Sequence, residues 1–185
     1  LKDISIVLSG HGLLLVSGKS GSGKSTILNL IAGLIRPTKG HVYYKGKAID
    51  EMSDKELAGY RNRKIGFVFQ HYNLFDKQSV LFNVILPLLI DGCGINKAYE
   101  LGRNLLKGYG LERLSNIEVA NLSGGEKQRV AILRAIINNP EIVLADEPTG
   151  ALDSENALRT MKILKDISQK RLVIVVSHEL TLAQK

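Results

Sequence analysis

The stretch Gly18-Lys19-Ser20-Gly21-Ser22-Gly23-Lys24-Ser25-Thr26 constrains this chain more than any other. It has the Gly-x-x-x-x-Gly-Lys-Ser spacing of a phosphate-binding loop. The apolar run Leu13 to Val16 precedes it, and the helical pattern Ile27 to Ala32 follows. Glycines let the backbone curl until several amide hydrogens point at one spot, and the next helix adds its positive dipole end. Lys24 brings a point charge to the β- and γ-phosphates, and the Ser25 hydroxyl is a ligand for Mg²⁺. The plain alternative is a glycine-rich turn; the full spacing in a strand-loop-helix context weighs against it. A nucleoside triphosphate is the starting expectation.

The chain's 185 residues fit one domain of ordinary size. Hydrophobic residues at 44% and charged residues at 23% place it with globular proteins. The net charge of +7 is spread along the chain, which reads as a basic solvated surface rather than a nucleic-acid footprint. A single cysteine, Cys93, excludes an intrachain disulfide and fits a reducing compartment. No apolar run spans a bilayer, so a membrane role has to come through a partner. The chain opens on Leu1 rather than Met and closes on a helical-looking pattern, so truncation at both ends is expected.

Apolar runs alternate with helical periods along the chain. Strands are expected at Ile4 to Leu8, Leu13 to Ser17, Lys64 to Phe69, Ile142 to Ala145 and Leu172 to Val176. Short strands at His41 to Tyr44 and Ala48-Ile49 flank a turn and, with the first strand, make a small antiparallel piece. The helix after the phosphate loop should run to about Leu34 and stop at Arg36-Pro37. Ser53-Asp54-Lys55-Glu56 is a capping box. Val80 to Ile90 is helical in composition, with Pro87 expected to kink or break it. Helical patterns follow at Asn96 to Tyr109, from Gly125 up to Pro140, and at Ser154 to Gln169. The fold class is α/β: a phosphate-loop NTPase with a mostly parallel sheet flanked by helices, the small antiparallel piece, and a helical subdomain over about 71–138.

Asp146 and Glu147 end one buried strand, where open parallel sheets place their ligands. Asp146 suits Mg²⁺ beside Ser25, and Glu147 suits an attacking water's proton. Gln70 ends another strand; its amide oxygen is a metal ligand and its NH₂ positions water, although one strand-end Gln is commonly just solvated. His178 ends the last strand, within reach of a γ-phosphate or simply on the surface. His11, His41 and His71 carry no assigned role. Leu122-Ser123-Gly124-Gly125-Glu126-Lys127-Gln128-Arg129 is a second place where a serine and glycines open a helix, hence a second anion-seeking site.

Leu122 to Arg129 resembles the signature sequence of ABC-type ATPases. The order of parts is similar to that family throughout: phosphate loop, Gln70, signature, Asp146-Glu147, Ala151-Leu152-Asp153, His178. The resemblance implies a head-to-tail dimer, with ATP held by Gly18 to Thr26 of one copy and by Ser123 and Gly125 of the other, Gly124 lying between them. It implies Ser25 and Gln70 as Mg²⁺ ligands supported by Asp146, Glu147 as catalytic base, His178 on the γ-phosphate, and Asp153 as the residue that communicates across the dimer. Glu147 to Asp153 and Asn83 to Leu88 look like the macrolide-exporter and lipoprotein-release group. That group implies a transmembrane permease, fused or separate, export or release of a peptide, lipoprotein or antimicrobial, and a place at the cytoplasmic face of the membrane. It also places the adenine-stacking aromatic upstream of Leu1, and an acidic residue where Phe82 stands.

The alternative is the ATPase switch of a non-transporting, cell-division type complex, which the partner rather than the chain distinguishes. DNA-repair relatives carry a long coiled coil before the signature; roughly 100 residues separate the two motifs here, without sustained heptads. Translation-factor relatives carry two ATPase units, and one is visible. No nucleic-acid partner is expected.

Overall fold

A computed structural model describes Leu1 and residues 3–178. Four strands form one sheet: β1 (Gly12–Ser17), β4 (Ile65–Val68), β5 (Ile142–Asp146) and β6 (Leu172–Ser177), with β2 and β3 set apart in the hairpin described below. Their order is β1-β6-β5-β4 and every pairing is parallel. Val16 and Asp146 both pair with Val176, so the carboxyl ends of β1, β5 and β6 finish level. The loops after these ends therefore emerge along one edge.

Both faces of the sheet are covered. On β5 and β6, Val143, Ala145, Val173 and Val175 join one buried cluster, while Leu144, Ile174 and Val176 join the other. That split is the period-2 alternation of a strand with helices on each side. The second cluster holds α1 (Lys24–Ile31), α2 (Asp54–Arg63) and the hairpin β2 (Tyr43–Tyr44) and β3 (Lys47–Ala48) through Leu28, Leu57, Tyr60 and Tyr44. The first holds α3 (Val80–Ile90), α4 (Ile95–Gly108), α5 (Gly124–Ile136) and α6 (Ser154–Ser168). Ser53 caps α2 through the expected box with Glu56.

The structure corrects several expectations. Ile4 to Leu8 forms no strand; Ile6 and Val7 are 61% and 93% exposed, and β1 pairs only with β6. Weak alternation without a neighbouring strand gives the backbone no ladder to join. The antiparallel piece is accordingly two strands rather than three. Helix α1 ends at Ile31 instead of Leu34, because Gly33 takes a left-handed φ of +63° ahead of Pro37. Helix α5 likewise ends at Ile136, before Pro140, and Asn139 turns at φ +51°. Pro87 lies inside α3 without breaking it. Proline there costs about 3 kcal/mol, but Leu81, Val84, Ile85 and Leu88 bury a whole face against the core. The helical ending expected for the chain lies outside the described residues.

Glu141, just before β5, ties the hairpin to the sheet by accepting from Lys45 at 2.7 Å and Lys64 at 3.0 Å. These bonds, Lys45 first, hold its carboxyl down at about 2. A carboxylate depressed in the folded state contributes stability above its unfolded value near 4.5 and loses it as pH falls toward 2. Its side chain is 38% exposed, so solvent limits the contribution to about 0.5–1 kcal/mol. Glu141→Gln is expected to lower the melting temperature by a few degrees at pH 7, by less as pH falls below the unfolded value near 4.5, and hardly at all once pH is below about 2, which thermal denaturation across that pH range checks.

Candidate active site

The phosphate loop leaves β1 at Ser17 and enters α1 at Lys24. Gly21 and Gly23 both take left-handed angles, φ +78° and +91°, which open the loop into a cup. The Lys24 ammonium is buried and donates to the Gly18 carbonyl at 2.8 Å and the Lys19 carbonyl at 3.1 Å. Lys24 thus closes the loop on itself. A phosphate would offer that ammonium charged acceptors in place of neutral carbonyls.

The Ser25 hydroxyl donates to Asp146 Oδ1 at 3.0 Å. These residues are 121 positions apart, and the level ends of β1 and β5 bring them together. A hydroxyl and a carboxylate side by side are the hard-oxygen donor set that Mg²⁺ takes, with water and phosphate oxygens for the rest. The residues present therefore fit the metal. Gln70 stands exposed two positions past β4, on the same edge of the sheet, and no hydrogen bond joins it to Ser25 or Asp146 among the described residues.

Glu147 follows β5 with φ +45°, a left-handed angle uncommon for a residue with a side chain. Its amide donates to the Val176 carbonyl at 2.9 Å, which anchors the turn to β6. Its carboxylate accepts from His178 Nδ1 at 2.8 Å and from the His178 amide at 3.4 Å. The Glu147 side chain is only 13% exposed, whereas His178 is 56% exposed. Because a carboxylate only accepts, Nδ1 carries the proton, and Nε2 donates to a further acceptor only when the ring is imidazolium.

The second helix start lies elsewhere. Ser123 caps α5 by accepting from the Glu126 amide, and Glu126 Oε2 accepts from the Ser123 amide at 3.0 Å and hydroxyl at 2.8 Å. These bonds, the backbone one foremost, hold the Glu126 carboxyl below its ordinary range. Asp153 caps α6 in the same manner, accepting from the Asn156 amide at 2.8 Å. No hydrogen bond joins Ser123, Gly124 or Gly125 to the Gly18–Thr26 loop among the described residues.

Residues 1–150 match the ABC transporter family. The chain belongs to the ABC transporter ATP-binding family. It is 42% identical, over its whole length and 80% of the relative's, to the lipoprotein-releasing system ATP-binding protein LolD of Blochmanniella floridana. It is 43% identical, over 97% of its length and 80% of the relative's, to the uncharacterized ABC transporter ATP-binding protein MJ1508 of Methanocaldococcus jannaschii. The ATP-binding cassette MJ0796, solved as a dimer in a post-hydrolysis state bound to ADP and Pi, superposes with a TM-score of 0.82 at 40% identity, covering 97% of this chain and 80% of that one. A second dimeric structure of the same cassette gives a TM-score of 0.83 at 41% identity over the same shares. This ABC cassette is an ATPase of a transporter, built as a phosphate-loop NTPase.

Two contacts that brace the loops around these residues escape motif reading. Arg134, on α5, donates to the carbonyls of Tyr72 at 2.8 Å and of Asn73, and burial pushes its guanidinium down to about 10. Both carbonyls belong to left-handed residues, φ +60° and +50°, in the turn directly after Gln70. Nothing in the local sequence links position 134 to position 72. Asn156 is the other, and Asp153 three residues before it is the only hint, as a cap and its third helical residue.

Proposed function

We propose that two copies of this chain close head to tail around ATP, and that closure and reopening drive a membrane permease. The observation that carries this reading is the separation of two anion-seeking helix starts within one chain. Gly18 to Thr26 makes a complete phosphate cup beside Ser25 and Asp146. Ser123 to Gly125 opens a second helix that the first site does not use. A rotated second copy gives each nucleotide both. The dimeric state of MJ0796 with ADP and Pi supports it. The name of the LolD relative supports a lipoprotein as the molecule released, while export of a peptide or antimicrobial rests on the resemblance to the macrolide-exporter group.

In this reading the loop amides and Lys24 hold the β- and γ-phosphates. Ser25, Asp146 and Gln70 would hold Mg²⁺, whose charge would offset that of the phosphates. Glu147 accepts the proton of a water whose oxygen attacks the γ-phosphorus, and ADP leaves. His178 keeps that carboxylate aimed through its Nδ1 hydrogen bond, and as imidazolium its Nε2 donates to the γ-phosphate. ATP favours the closed pair because only the closed pair offers both cradles, and this differential affinity is the source of motion. No helix among the described residues is long and apolar enough to cross a membrane, so the permease supplies the span.

ATP turnover per chain at saturating Mg-ATP should rise with chain concentration and level off once pairs dominate. Phosphate release measured from nanomolar to tens of micromolar chain decides it. A flat specific activity across that range contradicts the shared site.

A further inference from the structure

Asn156 lies one turn into α6 and spends every polar group of its side chain. Its Nδ2 donates to Asp153 Oδ2 at 2.7 Å, while its own backbone amide donates to Asp153 Oδ1 at 2.8 Å. Its Oδ1 accepts from Arg129 Nη1, on α5, at 3.2 Å. The two partners fix which end of the amide is which, since a carboxylate only accepts and a guanidinium only donates. The Asn156 bonds hold the Asp153 carboxyl below its ordinary range.

The same amide packs on Gly125. A Cβ at position 125 would stand 2.3 Å from Asn156 Oδ1 and 2.5 Å from its Cγ. Gly125 is itself buried in the first turn of α5. The start of α5, which carries Ser123 and Gly125, and the start of α6, which carries Asp153, are thus two helix ends stapled by one side chain. Arg129 belongs to α5 one turn further on, so the staple grips α5 at two heights.

We infer that Asn156 is a positioning residue that holds Asp153 and the Ser123–Gly125 helix start as one rigid face. The inference rests on the two-copy reading above for its consequence, in which this face meets the nucleotide of the other copy. Within one chain it stands on the hydrogen bonds alone. A phosphate arriving at Ser123 then finds Asp153 already placed, and a shift of either helix start moves the other. Without the staple, Asp153 keeps only the backbone part of its cap, and the two starts move separately.

The test uses Asn156→Leu, of similar size but without donor or acceptor, and Asn156→Asp, which keeps an acceptor for Arg129 but loses the donor to Asp153. Both are made in the Glu147→Gln chain. Each is expected to weaken Mg-ATP-driven association about tenfold or more, read by light scattering against chain concentration. Mg-ATP affinity of the isolated chain, read with a fluorescent ATP analogue under dilute conditions, should stay within about twofold, because the phosphate cup is untouched. Hydrogen exchange in the single chain supplies an independent arm. Amides at the start of α5 and those at the start of α6 should both speed up in Asn156→Leu. Association and exchange like the parent's in either variant overturn the inference. Failure of the parent itself to associate sinks the two-copy reading instead, and the exchange arm then decides Asn156 by itself.

Discussion

Glu147→Gln is expected to lower the ATP turnover number by about 100-fold or more, the usual worth of a general base, while KM for ATP changes little. Gln has the outline of Glu, and its amide oxygen still accepts from His178 Nδ1, now at 2.8 Å from Oε2. The turn is held by the Glu147 amide on the Val176 carbonyl, which the substitution leaves alone. What disappears is the ability to take a proton from water. A fall in kcat without a rise in KM marks loss of an interaction made in the transition state only. Steady-state phosphate release over a range of ATP concentrations checks it. A turnover within a few-fold of the parent would move the base to another residue.

Lys24→Ala is expected to raise the Kd for Mg-ATP by about 10- to 100-fold, the range for losing a hydrogen bond to a charged group together with its supports. Lys24 is 9% exposed, and its ammonium bonds two loop carbonyls, Gly18 and Lys19. Truncation removes the bonds that close the loop and, in the proposed site, the ammonium that meets the phosphates. Arginine is no rescue, because a planar guanidinium fork does not replace a compact ammonium in a closed cup. Isothermal titration of each variant with Mg-ATP supplies the test. Affinity within threefold of the parent for Lys24→Ala contradicts the role given to this residue.

Much of the molecule can be read from its sequence because local and global signals agree. Leu13 to Thr26 reads as strand, loop and helix and folds so, since the glycine spacing has one structural use. Ser53 with Glu56 marks a helix start from sequence alone. The buried strands β5 and β6 announce themselves as continuous apolar runs because helices cover both faces. The misreadings share a cause, which is that tertiary contacts outvote local preference. Pro87 stays helical because α3 buries a full apolar face. Ile4 to Leu8 alternates without a partner strand to make the alternation useful.

The site divides along the same line. Lys24, Ser25, Asp146, Glu147 and His178 are legible as strand-end and loop chemistry, and the parallel sheet assembles them. Asn156 and Arg134 are not legible, because their work is a hydrogen bond across 27 and 62 positions of chain. An amide on Asp153 and a guanidinium on the turn after Gln70 tie the signature helix to both neighbouring loops. Such residues look like ordinary helix surface until the helices are packed.

The central claim is that one nucleotide needs two chains. The mass of Glu147→Gln in solution, by light scattering with and without Mg-ATP, tests it most directly. A single-chain mass without nucleotide and a doubled mass with it are the predicted results, because removing the base traps the closed pair. A single-chain mass at saturating Mg-ATP, with binding confirmed in the same sample, would contradict it.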